Sequence, residues 1–217
     1  MSFPIVVLIS GSGSNLQALI DQSLQGLLNI KICAVISNKA DAYGLERAKV
    51  AGIPTHTLNH KSFDSREEFD TELQALIDQY QPKLVVLAGF MRILTETFAK
   101  HFEGRMLNIH PSLLPKYKGL DTHQRAIDAN EKEHGVSVHF VSPELDAGAV
   151  ILQASTEIVQ EETAETLASK VHALEHIIYP LTVKWFSEER LTFQDGKAFL
   201  DQNELPESGI LYNEAIT

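Results

Sequence analysis

Cysteine is almost absent from this 217-residue chain, which carries one, Cys33, inside an apolar run. No disulfide framework can form, redox chemistry is not expected, and the thiol reads as a small core residue. Basic residues are scarce too: 18 Lys and Arg stand against 29 Asp and Glu, for a formal net charge of −11. That balance argues against a nucleic-acid surface, because phosphate backbones call for a clustered positive field. A small anionic ligand is compatible with it only where one local site is electropositive. Long hydrophobic runs are missing as well. The apolar stretch at residues 5–9 is far too short for a signal peptide or a membrane span, so a cytoplasmic chain is expected. Linkers, internal repeats and low-complexity tracts are absent, and 44% of the residues are hydrophobic. One domain over residues 1–217 follows as the expectation, with a core to about residue 191, then a hairpin and a loose tail.

What is present is an alternation of strand and helix. Residues 5–9 (IVVLI) form a continuous β-branched run, the pattern of a strand covered on both faces. Further strands are expected at residues 30–36, 55–58, 84–88 and 106–109. Helices are expected from residue 16, over 45–51, from 64 onward with Phe69, Leu73, Leu76, Ile77 and Tyr80 on one stripe, and from about 95. Past residue 120 come a helix to 130, strands at 135–141 and 149–156, and a long amphipathic helix over 165–186. Asp195-Gly196 between two short apolar runs signals a two-residue hairpin. The fold class is therefore α/β: a mostly parallel twisted open sheet with helices on both faces and added antiparallel strands toward the C-terminal half.

Ligands of such sheets bind beyond the carboxyl ends of the strands, and three unusual segments fall there. NIHPSLLP, residues 108–115, puts Asn108 and His110 on the same side of an extended chain by period-two alternation. Pro111 keeps His110 extended and prevents a helix from starting. An amide donor and a titratable base thus sit together at a strand end, although a proline-rich loop with a capping Asn and a surface His would read the same way. GSGSN, residues 11–15, follows the first strand. Its glycines allow a tight turn that aims backbone N–H groups at an anion, with a helix N-terminus behind them; Ser14 or Asn15 could cap that helix without a ligand. The dinucleotide fingerprint fails, since Leu16 stands where a third glycine belongs and Ser37-Asn38-Lys39 replaces a ribose-binding carboxylate. A monophosphate site fits best, a plain glycine turn being the alternative. The third segment is GFMR, residues 89–92. Asp146 in ELDAG is ordinary turn chemistry by itself; beside an imidazole it would fix the tautomer and orient the ring. The other histidines, including His123, His134, His139 and His176, lack metal-ligand spacing, so no metal is expected.

Together GSGSN, AGFMR (88–92), NIHPSLLP, HGVSVHF (134–140) and LDAG (145–148) resemble the phosphoribosylglycinamide formyltransferases in their single-domain bacterial form, over nearly the whole chain to about residue 191. NIHPSLLP alone is shared by the wider folate-dependent formyltransferase family. The resemblance implies a Rossmann-like fold and transfer of the formyl group of 10-formyltetrahydrofolate, as co-substrate, to the amine of 5'-phosphoribosylglycinamide in de novo purine biosynthesis. It implies Asn108, His110 and Asp146 as the catalytic trio. Phosphate and ribose would lie on Gly13, Ser14, Asn15, Leu16 and Gln17, with Glu175 touching the same substrate. The folate would lie against Arg66, Met91, Arg92, Ile93, Leu94, Asn108, Ser142 and Asp146. As residues alone, Glu175 is equally a solvated edge of the helix stripe, and Arg66 equally half of a surface ion pair. At His172 the chain departs from the family, which often has glutamine. Expected partners are these small molecules, not nucleic acid or membrane, with the chain a monomer or weak homodimer.

The chemistry of these residues agrees. An amine attacking a formyl carbon builds negative charge on the formyl oxygen, which the Asn108 amide can stabilise. The amine must lose a proton and the folate nitrogen must gain one, and one imidazole can serve both. Other readings are a formyltetrahydrofolate hydrolase, which would use water with the same trio and usually carries an N-terminal regulatory domain, and a non-catalytic sugar-phosphate-binding module. A methionyl-tRNA formyltransferase would need a C-terminal module and a basic face. A nicotinamide oxidoreductase is disfavoured by Leu16 and residues 37–39.

Overall fold

A computed structural model describes residues 2–213 and 215–216. The chain divides after Asn108 into two compact units. In the first, β1 (Phe3–Ile9), α1 (Ser14–Leu24), β2 (Ile30–Ser37), α2 (Tyr43–Val50), β3 (Thr55–Thr57), α3 (Arg66–Asp78), β4 (Leu84–Leu87) and α4 (Glu96–His101) lead into β5 (Met106–His110). Its strands hydrogen-bond in the order β5-β4-β1-β2-β3, and every pair is parallel. Residues 5–9 and 84–86 are fully buried, as expected of β-branched strands covered on both faces.

Cys33 is a correction. It is half-buried rather than core, because the β1–β2 register skips it: Ile5 pairs with Ile32, and Val6 with Ala34. The extra residue of this bulge is turned away from the packed face. The capping of α1 is a second correction. Neither Ser14 nor Asn15 caps the helix; the cap is Gly13, at φ 71°, with no side-chain hydrogen bond.

The second unit begins inside β5, at Ile109, and contains α5 (Thr122–Asp128), β6 (Glu133–Phe140), β7 (Val150–Glu157), α6 (Ala164–Ser187), β8 (Leu191–Gln194), β9 (Lys197–Leu200), β10 (Asn203–Glu204) and β11 (Ile210–Leu211). β6 and β7 are antiparallel, and α6 packs on both. Its first turn is closed by a capping box of Thr163 and Thr166, and its buried stripe runs through Leu167, Val171, Ile178 and Trp185. The turn between β8 and β9 has positive φ at Asp195 (49°) and Gly196 (79°), the geometry that an Asp-Gly hairpin supplies. β8, β9 and β10 make a separate small antiparallel sheet. The expected loose tail is partly wrong: Ile210 and Leu211 add as a parallel strand to Leu152 and Gln153 of β7, and Tyr212 N donates to Gln153 O at 2.7 Å. A two-residue strand carries no periodicity from which it could be read. Parallel pairing with helices between the strands, plus the small antiparallel sheet, is the expected fold class. Among the described residues no helix is long and apolar enough to cross a membrane.

Candidate active site

In the first unit the loop after β1 is built by close glycine contact. A Cβ on Gly13 would fall 2.6 Å from the Cα of Gly44, so loop and α2 meet backbone to backbone there. Gly44 N donates to Gly11 O at 3.0 Å. Arg47 of α2 then braces the loop, its Nε donating to Ser12 O at 2.8 Å and its Nη1 to Gln17 Oε1 at 3.2 Å. This puts a positive charge beside the loop, and sequence reasoning did not single Arg47 out. The amides of Ser14, Asn15 and Leu16 precede the first hydrogen bond of α1, from Gln17 N to Gly13 O at 2.9 Å, and have no acceptor within the helix. Leu16 is fully buried, so its side chain belongs to the core of this unit.

The segment of Met91, Arg92, Ile93 and Leu94 has irregular backbone between β4 and α4. Met91 and Ile93 are 59% and 55% exposed, and the Arg92 guanidinium lies over the Phe69 ring, 5.8 Å from its centre. Arg66 makes a solvated contact of 3.9 Å with Glu67. Asn108 is half-buried at the end of this unit, two residues before His110 on the same strand β5.

In the second unit His110, 6% exposed, closes β5. Its Nε2 lies 2.9 Å from Tyr117 O; a carbonyl only accepts, so this nitrogen carries a hydrogen. Its Nδ1 faces Asp146 Oδ2 at 3.5 Å, and both side chains are 8% exposed. Asp146 sits at φ 47° in the turn, where Gly119 N donates to its Oδ2 at 3.0 Å. Two residues on, a Cβ on Gly148 would overlap Phe140 O at 1.8 Å, so the turn closes only with glycine. The loop after His110 is held by buried polar groups that the sequence did not mark. Ser137 Oγ accepts from Leu114 N at 3.0 Å and donates to Ser112 O at 2.6 Å, while Gln153 Nε2 donates to Leu114 O at 2.9 Å. The only sequence trace of them is the polar beat within β6 and β7.

Three further histidines surround His110. His139 donates through Nδ1 to Phe140 O at 2.8 Å, and its Nε2 is 4.0 Å from Asp146 Oδ1; burial pushes its pKa down to about 4. His134 is likewise pushed down to about 4 by burial, and His123, edge-on to it at 5.1 Å, is lowered by burial and by His172. Glu175 on α6 is 5% exposed, so the solvated-edge alternative fails. Ser142 is half-buried and donates to Glu144 O at 3.1 Å. The second unit thus brings His110 and Asp146 together; the phosphate-loop and 91–94 candidates belong to the first.

A family model described as formyl transferase matches residues 4–183. The chain is 53% identical over 210 residues to a phosphoribosylglycinamide formyltransferase of Escherichia coli, covering 97% of this chain and 99% of that one. A phosphoribosylglycinamide formyltransferase of Haemophilus influenzae is 50% identical over 205 residues, covering 94% and 97%. A solved structure of the phosphoribosylglycinamide formyltransferase of Coxiella burnetii, in complex with CHES, matches with a TM-score of 0.94 at 56% identity, covering 98% of this chain and all of that one.

Proposed function

This chain belongs to the formyl transferase family, and from that premise we propose that it is a phosphoribosylglycinamide formyltransferase. It moves the formyl group of 10-formyltetrahydrofolate to the amine of 5'-phosphoribosylglycinamide in purine biosynthesis, releasing tetrahydrofolate. The family match runs across the division at Asn108, which supports one formyltransferase domain over the whole chain. A cytoplasmic monomer or weak homodimer fits a reaction between two small soluble substrates.

The observation that carries the mechanism is the pair His110 and Asp146. The carboxylate sits 3.5 Å from Nδ1 and orients the ring, which makes Nε2 the working nitrogen. Without substrate that nitrogen donates to Tyr117 O; when the substrate amine takes the carbonyl's place the ring's hydrogen sits on Nδ1, toward Asp146, and Nε2 is free to accept a proton. The amine nitrogen attacks the formyl carbon and forms the new N–C bond, and the carbonyl electron pair moves onto oxygen. The Asn108 side-chain N–H stabilises that oxyanion, and removal of one such donor costs on the order of 10²–10³ in rate. His110 takes the proton that the amine must lose and returns it to N10 of the folate as the C–N10 bond breaks, a role that contributes roughly 10²–10⁴-fold. The transfer is direct, with no formyl-enzyme adduct.

In this reading Gly13, Ser14, Asn15, Leu16 and Gln17 take the phosphate and ribose through backbone N–H groups and the helix end, with Glu175 on the same substrate. Arg66, Met91, Arg92, Ile93, Leu94, Ser142 and Asp146 meet the folate, Met91 and Ile93 offering apolar surface to its ring. The test is absorbance-monitored turnover of 10-formyltetrahydrofolate with and without the ribonucleotide, for the unaltered chain and for His110→Ala. Turnover that requires the ribonucleotide and is lost in the variant is expected. Formate release without it would make the chain a hydrolase. No turnover in either case, with ligand binding intact in the variant, would leave a binding module.

A further inference from the structure

The segment 91–94 has no regular secondary structure, yet both its ends are gripped by buried polar side chains. At the first end is Ser10, 4% exposed, the residue between β1 and the glycine loop. Its backbone N donates to Gly89 O at 3.1 Å, and its Oγ accepts from Met91 N at 2.8 Å. The same hydroxyl donates to Asn38 Oδ1 at 2.6 Å, and Asn38, 2% exposed, has its amide nitrogen 3.2 Å from His60 Nδ1. The hydroxyl is therefore locked with a lone pair aimed at Met91. At the other end Asp70 of α3, 2% exposed, accepts from Thr95 N at 2.6 Å. Thr95 then caps α4, its Oγ1 accepting from Phe98 N at 3.3 Å.

This arrangement is costly for a merely structural contact. Position 70 lies on the buried face of α3 with Phe69, Leu73 and Ile77, where an apolar residue would avoid desolvating a carboxylate. The other oxygen, Oδ1, is buried with no hydrogen-bond partner among the described residues. Between the two anchors, Met91 and Ile93 are held out on backbone that has no ladder or helix of its own to fix it.

We infer that Ser10 and Asp70 are positioning residues that clamp the two ends of segment 91–94 and so set the binding surface for the formyl-folate donor. The inference rests on the reading of that segment as the folate contact. Ser10 also immediately precedes Gly11, so one residue ties the donor segment to the start of the phosphate loop within the first unit.

The test is steady-state kinetics on the full chain, with KM for 10-formyltetrahydrofolate and for the ribonucleotide measured separately, beside thermal melting. Ser10→Ala and Asp70→Leu each remove one hydrogen bond to the segment and should raise the folate KM about 5- to 10-fold, with kcat and the ribonucleotide KM within about twofold. Asp70→Asn keeps an acceptor for Thr95 N and should restore the folate KM to within about twofold of the unaltered chain. Ser10→Ala deletes a single oxygen, so it decides the matter if Asp70→Leu does not fold. An unchanged folate KM, or a parallel loss in all kinetic constants that merely follows the melting temperature, would overturn the clamp while leaving the formyltransferase reading intact. Absence of any formyl-folate turnover by the unaltered chain would overturn that reading, and the clamp with it.

Discussion

His134 makes the fold acid-sensitive, and the size of the effect can be worked out. The ring is 2% exposed, and its pKa is pushed from 6.5 to about 4, first by burial and then by the neighbouring His123, against the opposing pull of Pro111 O and Glu131. Above pH 6.5 the ring is neutral in folded and unfolded chain alike, and its stabilising contribution is complete. Between 6.5 and about 4 the unfolded chain binds a proton that the folded chain refuses, so stability falls as the pH is lowered through that window. Below it both states are protonated and the loss levels off. The full loss is on the order of 3 kcal/mol, and roughly 1 kcal/mol of it is already gone near pH 5.5. His134→Gln keeps an amide that can reach Pro111 O but removes the titration. Urea unfolding of both proteins, followed through the single, fully buried Trp185, should be compared at about pH 7.5 and 5.5. His139 has a similarly lowered pKa, so both proteins lose stability; the unaltered chain should lose about 1 kcal/mol more. Equal losses would show that the His134 environment does not exclude the proton as this burial requires.

Two other outcomes follow from the backbone. Gly13→Ala places a Cβ 2.6 Å from Gly44 at φ 71°, a left-handed conformation that costs about 1–2 kcal/mol for an L-residue before the clash is counted. It should raise the ribonucleotide KM several-fold and leave the folate KM nearly unchanged; an effect on folate alone would contradict the phosphate-loop reading. Truncation before Glu207 removes β11 from the edge of β7 and the bond from Tyr212 N to Gln153 O. Because the Gln153 side chain holds Leu114 in the loop after His110, the melting temperature should drop by a few degrees, roughly 2–4 °C per kcal/mol for a chain of this size, and activity should drop too. A truncated chain that melts and turns over like the full one would refute that role for the tail.

GSGSN and NIHPSLLP were legible because each interrupts an apolar run at a strand end, where local residue chemistry and the α/β rule agree. The residues that hold those segments in place were not. Asp70, Ser137 and Gln153 sit inside periodic stretches, where a single polar residue reads as the solvent side of a strand or helix, and Ser10 reads as the first residue of a loop. Their partners are 16 to 81 residues away, and sequence pattern carries no information on that scale. Cys33 misled for a related reason: a bulge is defined by the register against a neighbouring strand, and an apolar run looks the same with or without it. Glu175 could not be placed because a carboxylate beside an apolar stripe is solvated or buried according to what packs over it.

The proposed mechanism assigns the chemistry to one histidine of nine, and several of the others crowd the same loops. The fold separates them by giving one carboxylate two imidazole neighbours and treating them differently. His139 spends its Nδ1 hydrogen on Phe140 O, and burial drives its pKa down to about 4, so it stays neutral at 4.0 Å from Asp146. His110, at 3.5 Å from the same carboxylate, closes a strand whose next residues are a loop with Pro111 and Pro115. On the proposed reading Asp146 thereby serves the imidazole two residues from Asn108, and His139 stands neutral beside the same carboxylate. A second basic histidine there would compete for the carboxylate and for the substrate's proton.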